Sequence, residues 1–258
     1  MSTRLTAELE SFKTLWKSGY FEGDPLNPIG RSNYGQMSYM SVLHATYLRC
    51  IKPYINARTI SLEIGPGRGA WTKTMLQSKE VHALDALPEE HNGFYEYIGH
   101  PRNVFYHQVQ DFDCKILPNN HFTYMFSFGC LCHVSFEGIT KYAVSTFPKL
   151  TSGSNCFWMV ADYDKYNRAV LNLDSLSYWN ILLQRRRYFA LKWLCNYLIS
   201  RNKPHLLNLV EDDVPTPGRW YNAGVDRTCS MLKEVGYEVV DPDVGVNFRD
   251  PIIHFLKV

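Results

Sequence analysis

The sequence predicts an α/β domain built on a doubly wound, mainly parallel sheet. Three observations predict it. Short apolar, β-branched runs alternate with helical stretches between Thr59 and Tyr163, the spacing of βαβ crossovers that cover both faces of a sheet. The first of these runs ends in "GPGRGA" (Gly65 to Ala70), a set of alternate glycines at a strand end. After Tyr163 the alternation breaks over residues 164–225 and then resumes. That insertion falls at the carboxyl edge of the sheet, where such folds bind ligands.

In chain order, Leu5 to Ser18 reads as a helix, and Gly19 to Gly35 as a Gly/Pro/Asn-rich loop. A second helix is expected from Met37 to Ile51, ending before Pro53. The first strand is Thr59 to Ile64, followed by helical Trp71 to Gln77. A short strand, Val81 to Leu84, ends at Asp85. "PEEHNGFYEYI" is helical or turn-like, and Val104 to Gln110 makes the third strand. Phe122 to Leu131 is the fourth, Glu137 to Leu150 a helix, and Cys156 to Tyr163 the fifth strand. Within the insertion, Asp174 to Ile199 is aromatic-rich and helical, and a loop with Pro204, Pro215 and Pro217 follows. "DRTCSMLKEVG" is the last helix, and "YEVVD" and "IIHFLKV" are the last strands. The expected division is an N-terminal helical cap over residues 1–58 and a core over 59–258, with 164–225 as a substrate cover.

A chain of 258 residues suffices for one substantial core. The formal net charge of +2 gives no ground for expecting nucleic acid or an anionic membrane as partner. No run of about 18 apolar residues occurs, and the N-terminal "MSTRLTAELESFKTLWKSG" has no signal-peptide core, so a cytoplasmic protein is expected. The seven cysteines include no CxxC pair; only Cys130 and Cys132 stand close, as CxC. They read as reduced apolar residues, with no metal and no disulfide framework.

The glycine cluster admits three readings. A phosphate-binding P-loop needs a Lys-Ser/Thr pair after the last glycine, and none is present. A dinucleotide fingerprint is met loosely, with Ala70 in the third glycine place. The third reading uses more residues. Glu63, just before the turn, would repel a pyrophosphate but suits a ligand bearing an ammonium group. Gly65, Gly67 and Gly69 allow close backbone approach. Asp85 ends the second strand, where a carboxylate can accept from both ribose hydroxyls. Asp111 and Phe112 follow the third strand, placed for an adenine amino group and ring. Ammonium, ribose and adenine together describe S-adenosylmethionine.

On these residues the sequence resembles the class I S-adenosylmethionine-dependent methyltransferases. "LEIGPGRGAWT" is similar to their first motif, "ALDAL" to their second and "QVQDFD" to their third. The resemblance runs from about Ile60 to Lys165, and the "YEVVD…IIHFLKV" ending is similar to their reversed last strand. It implies a Rossmann-like, seven-stranded sheet with a reversed last strand, S-adenosylmethionine as cofactor and S-adenosylhomocysteine as product.

It also implies further site residues. An N-terminal helix closes over the cofactor in this family, so Tyr34 and Met37 are candidate contacts; packing of Met37, Met40 and Leu43 on the sheet is the alternative. Gly129 would let the chain pass the cofactor. His133 would face the transfer site as a base, since imidazole titrates near neutral pH, although a structural histidine reads the same way. Asp162 and Tyr163 end the fifth strand and could orient an acceptor. Tyr178, Trp179, Trp220 and Tyr221 in the cover are candidate substrate contacts, with core aromatics as the alternative. An inward arginine among Arg185, Arg186 and Arg187 would favour an acidic acceptor.

The expected function is methyl transfer from S-adenosylmethionine to a small molecule, preferably at a hydroxyl oxygen of a sugar or natural product. "FSFG" stands where amine-modifying DNA and RNA methylases carry an asparagine-proline-proline-aromatic tetrad. The alternatives left open are a small-molecule N-methyltransferase, a non-catalytic cofactor-binding partner protein, and an NAD-linked oxidoreductase. A homodimer is also left open.

Overall fold

The chain begins with helix α1 (Thr3–Leu15), which buries Leu5, Glu8 and Leu9 on one face. The two Glu8 carboxylate oxygens accept from the Ser135 backbone N–H at 2.6 Å and the Ser135 hydroxyl at 2.7 Å. That buried, charge-assisted pair fixes α1 against the start of a helix far along the chain. The computed structural model describes residues 3–16, 19–30, 36–37, 40–109, 111–168, 220–247 and 250–258.

The expected helix from Met37 to Ile51 is instead a small hairpin followed by a helix. β1 (Gln36–Met37) pairs antiparallel with β2 (Met40–Ser41), and α2 (Val42–Thr46) runs on into a π-helical turn, Tyr47–Ile51. Ser41 is extended at φ −61° and ψ 136°, and its N–H donates to the Pro28 carbonyl. The chain there is held to the preceding loop, so the helix starts five residues late.

The main sheet follows. β3 (Ile60–Ile64), β4 (Glu80–Asp85), β5 (Val104–Gln108), β6 (Phe122–Ser127) and β7 (Leu150–Met159) are joined in parallel. β8 (Tyr237–Asp241) and β9 (Ile252–Lys257) complete it, β9 running antiparallel to β7 and to β8. The strand order is β5-β4-β3-β6-β7-β9-β8. This is the seven-stranded, mainly parallel sheet with a reversed last strand expected from the sequence. One apolar layer contains Leu62, Ile64, Met125, Trp158 and Phe255; the other contains Val81, Ala83, Tyr124, Phe126 and Phe157. Both faces are therefore covered, which is why the strands read as near-continuous apolar runs.

Between strands, the "PEEHNGFYEYI" stretch forms two short helices, α3 (Glu89–Asn92) and α4 (Phe94–Ile98), broken at Gly93 with φ 59°. α5 (Phe136–Thr146) is capped by Ser135, whose Oγ accepts from Gly138 N–H, and it buries Ile139, Tyr142, Ala143 and Thr146 at helical spacing. β7 begins at Leu150, earlier than expected, directly after a 3₁₀ turn over Phe147–Lys149. α6 (Val225–Val235) ends at Gly236 in the left-handed region.

The expected helix after the glycine cluster is reduced to a 3₁₀ turn, Thr72–Met75. Its threonines form bonds that compete with a regular helix: Thr74 Oγ1 donates to the Trp71 carbonyl at 2.6 Å and Thr72 Oγ1 to Glu63. Of the insertion, residues 163–168 are helical and residues 220–224 return to the sheet; the expected helix Asp174 to Ile199 and the proline loop lie outside the described residues. Among the described residues no helix is long and apolar enough to cross a membrane, and Cys50, Cys114, Cys130, Cys132, Cys156 and Cys229 are free thiols.

Candidate functional site

The sheet reverses its winding between β3 and β6, and a crevice opens beyond the carboxyl ends of these two strands. β3 leaves through the glycine loop and β6 through Phe128 to Cys130. The loops touch. Gly65 has φ +71°, and a Cβ placed on it would lie 2.3 Å from both Cβ and Sγ of Cys130. Its N–H donates to the Leu84 carbonyl at 2.8 Å, and Ser127 Oγ donates to the Ile64 carbonyl at 2.9 Å. Only glycine fits there.

The crevice is a part-open cleft between the glycine loop, the β6 exit and the N-terminal segment. Gly65, Gly67, Asp85, Phe112, Gly129 and His133 line it, six of the residues singled out from the sequence. Among the lining residues that sequence reasoning missed are Phe12, Trp16, Tyr20, Asn92, Cys130 and Tyr142. Phe112 holds a left-handed backbone at φ 56°, rare for an aromatic residue, and its ring meets Tyr142 edge-on at 5.2 Å. Gly69 is not in the lining: its absent Cβ makes room for Ile98 and Phe94 behind the loop.

Three carboxyl groups stand at and beneath this loop, Glu63 and Glu22 buried and Asp85 half-buried. Asp85 faces the cleft and accepts from Leu87 N–H at 2.9 Å and Gly67 N–H at 3.4 Å. Burial pushes it up to about 6 against those hydrogen bonds. Glu63 lies under the loop rather than on the cleft wall, and accepts from Thr72 Oγ1 at 2.6 Å. Burial pushes it up to about 8, and Glu22 and Asp85 nearby add to the rise. Glu22 accepts from the Trp71 indole N–H, and burial pushes it up to about 7. A cation brought to this pocket would favour the ionised forms of all three.

The N-terminal segment closes the cleft, through residues other than those expected. Trp16 and Tyr20 meet edge-on at 5.0 Å. The Trp16 carbonyl accepts from His91 Nε2 at 2.9 Å, and the Tyr20 carbonyl accepts from Arg68 N–H at 3.1 Å. Gly67 brings its backbone so close to Tyr20 that a Cβ would lie 2.6 Å from the Tyr20 carbonyl oxygen. Tyr34 lies outside the described residues, and Met37 belongs to β1, in a hairpin instead of a helix.

Other sequence candidates fall away from the cleft. Asp111 is exposed, accepts from Asp113 N–H at 2.9 Å in a local turn, and faces an outer groove. Asp162 is buried as a double cap: Oδ1 accepts from Lys165 N–H at 2.7 Å and Oδ2 from Val225 N–H at 2.8 Å. Both oxygens cap helix starts, and Asp162 is not among the residues lining the cleft. Tyr163 is buried, its hydroxyl donating to the Trp220 carbonyl and its N–H accepted by Asn222 Oδ1. Tyr221 N–H donates to the Cys132 carbonyl, one residue before His133, so the returning strap lies beside the cleft without lining it. Tyr178, Trp179, Arg185, Arg186 and Arg187 lie outside the described residues.

The architecture is the Rossmann-like fold of solved methyltransferases. An S-adenosylmethionine-dependent methyltransferase of Mesorhizobium loti superposes with a TM-score of 0.52 at 12% identity, over 84% of this chain and 98% of that one. A Listeria monocytogenes protein assigned to the same class gives the same four values. A possible exported protein of Bordetella parapertussis gives 0.52 at 13% identity, over 83% of this chain and 66% of that one. No family model matches the chain, and no curated protein sequence does. At such identities the likeness is one of fold.

Proposed function

We propose that this chain transfers a methyl group from S-adenosylmethionine to a small-molecule acceptor, preferentially at a hydroxyl oxygen such as that of a sugar or natural product. One observation carries the reading: the glycine loop, Asp85, Phe112 and His133 line a single cleft at the winding reversal of the sheet.

The residues present suit that ligand. Asp85, half-buried on the wall, accepts from vicinal ribose hydroxyls. Gly65 and Gly67 let backbone approach closely, and Phe112 with Tyr142 gives an apolar wall for a purine. Glu63, held beneath the loop at a raised pKa, gains from an ammonium group above it. The 3₁₀ turn after the glycines disfavours the NAD reading, because a pyrophosphate docks on a full helix N-terminus.

Bound there, S-adenosylmethionine supplies an electrophilic methyl carbon on a sulfonium sulfur. His133 takes the acceptor's hydroxyl proton on an imidazole nitrogen as the oxygen becomes nucleophilic. Trp16 and Tyr20 keep water from the reacting groups. Positioning supplies most of the acceleration in such an in-line displacement.

Calorimetry with S-adenosylmethionine, S-adenosylhomocysteine and NADH tests the reading on wild type and Asp85→Ala. Micromolar binding of the first two, about −8 kcal/mol, with large loss in the variant supports it. No binding of either sinks it. With turnover in hand, His133→Ala should lower kcat by about 10²–10⁴-fold while leaving donor affinity intact. Unchanged kcat would remove the base and favour a neutral amine acceptor.

A further inference from the structure

At the opposite end of the sheet, four polar side chains meet where no function has been placed. Glu80 and His82 stand two residues apart on β4 and so share one face. His121, one residue before β6, reaches the same point across the end of β3. Glu80 Oε2 lies 3.0 Å from His121 Nε2 and 3.3 Å from His82 Nε2. The three ligand atoms all lie within 4.8 Å of one another. His107 on β5 completes the group, its Nε2 at 2.9 Å from His82 Nδ1, with the two ring planes within 10° of one another.

The geometry points to a divalent-metal site of the zinc class, with Glu80 Oε2, His82 Nε2 and His121 Nε2 as ligands and His107 as the group that orients His82.

Spacing supports it first. Two donors about 2.0–2.1 Å from one tetrahedral ion stand about 3.3 Å apart. The His82–Glu80 separation matches that value and is long for an N–H···O hydrogen bond. Orientation supports it next. When His82 ligates through Nε2, its Nδ1–H donates to His107 Nε2, the outer-shell bond that metal-ligating histidines use to fix ring and tautomer. Phe105 and Phe122 each stand 5.0 Å from the His82 ring and form an apolar wall. Glu80 and His121 are part-exposed, leaving an entry path and room for a water as fourth ligand. An ion there would tie β4 to the start of β6 across the amino end of β3, far from the glycine loop.

The experiment is titration of chelator-treated full-length protein with Co²⁺, followed by Zn²⁺. One Co²⁺ per chain with four-coordinate visible bands, displaced by Zn²⁺, is expected. Zn²⁺ should also raise the melting temperature. Glu80→Gln and His121→Ala should abolish both effects. His107→Phe keeps an aromatic ring beside His82 without its acceptor nitrogen and should weaken binding by about 10–100-fold; melting each variant without metal separates lost binding from lost fold. Failure of wild type to bind, equal binding by all three variants, or thiolate-to-cobalt charge-transfer bands placing the ion on cysteines would each overturn the site.

Discussion

The Trp16 indole meets the His133 imidazole edge-on, with ring centroids 5.1 Å apart and planes inclined at 62°. The two residues come from distant parts of the chain, one just past α1 and one in the 3₁₀ turn Leu131–His133 that follows β6. α1 is itself fixed to the end of that turn by Glu8 and Ser135. The N-terminal segment and the proposed base are therefore positioned together, and Trp16 forms part of the cleft wall.

Trp16→Ala tests that wall. An edge-on aromatic pair contributes about 0.5–1.5 kcal/mol beyond its buried area. Donor affinity should fall by about 3–10-fold in calorimetry, with a larger loss in kcat because water reaches His133. Tighter donor binding would instead make Trp16 a plug that the ligand must displace.

The strands and the glycine loop were legible because their signals are local. An apolar run of five residues and alternate glycines need no knowledge of the rest of the chain. Trp16 and Tyr20 were illegible because their role depends on a contact with His133 and Arg68, which only the folded chain supplies. The same holds for His82, His107 and His121, which lie on separate strands or their approaches. Asp162 and Asp111 misled for a different reason. Position at a strand end suggests chemistry, but an aspartate three residues before Lys165 N–H, or two before Asp113 N–H, first satisfies the nearest backbone donor. The Thr72 and Thr74 pair did carry a warning against a regular helix, since both are β-branched and able to bond back to the chain.

Asp162 should accordingly behave as a structural residue. Asp162→Ala removes the acceptor for two helix starts, and caps of this kind contribute about 0.5–2 kcal/mol each. Urea unfolding should show a loss of about 1–4 kcal/mol, and Asp162→Asn should recover part of it. Turnover per folded molecule should stay near wild type. A hundredfold fall in kcat for Asp162→Asn with unchanged stability would return it to the catalytic set.

The carboxyl groups under the glycine loop set a pH dependence. Glu63 is raised to about 8 and Glu22 to about 7, from an ordinary value of 4.5. Between those values the folded chain binds more protons than the unfolded chain, so stability falls as pH rises. The contribution is complete below about pH 4.5 and is lost as pH passes through about 8. Thermal melts of the ligand-free protein should therefore decline from pH 5.5 to 8.5, and Glu63→Gln should decline less steeply. A wild-type profile that rises more steeply than that of the variant would contradict the assignment. Saturating S-adenosylmethionine should flatten the wild-type slope, since its ammonium group favours the ionised carboxylates.

The contact between Gly65 and Cys130 offers a paired test of the cleft floor. Gly65→Ala places a methyl 2.3 Å from Cys130 Cβ and Sγ and forces a side chain onto a backbone at φ +71°. The backbone conformation alone costs about 1–2 kcal/mol, and the clash must in addition push the β3 and β6 loops apart. Donor binding should be lost while the fold survives, as read by calorimetry and by melting. Cys130→Gly removes the atoms in the way. The double variant should regain donor binding to within about 5–30-fold of wild type, because only the backbone cost of about 1–2 kcal/mol remains. Additive losses in the double variant would mean that the two loops do not bear on one another, and that the glycine at position 65 is needed for its backbone alone.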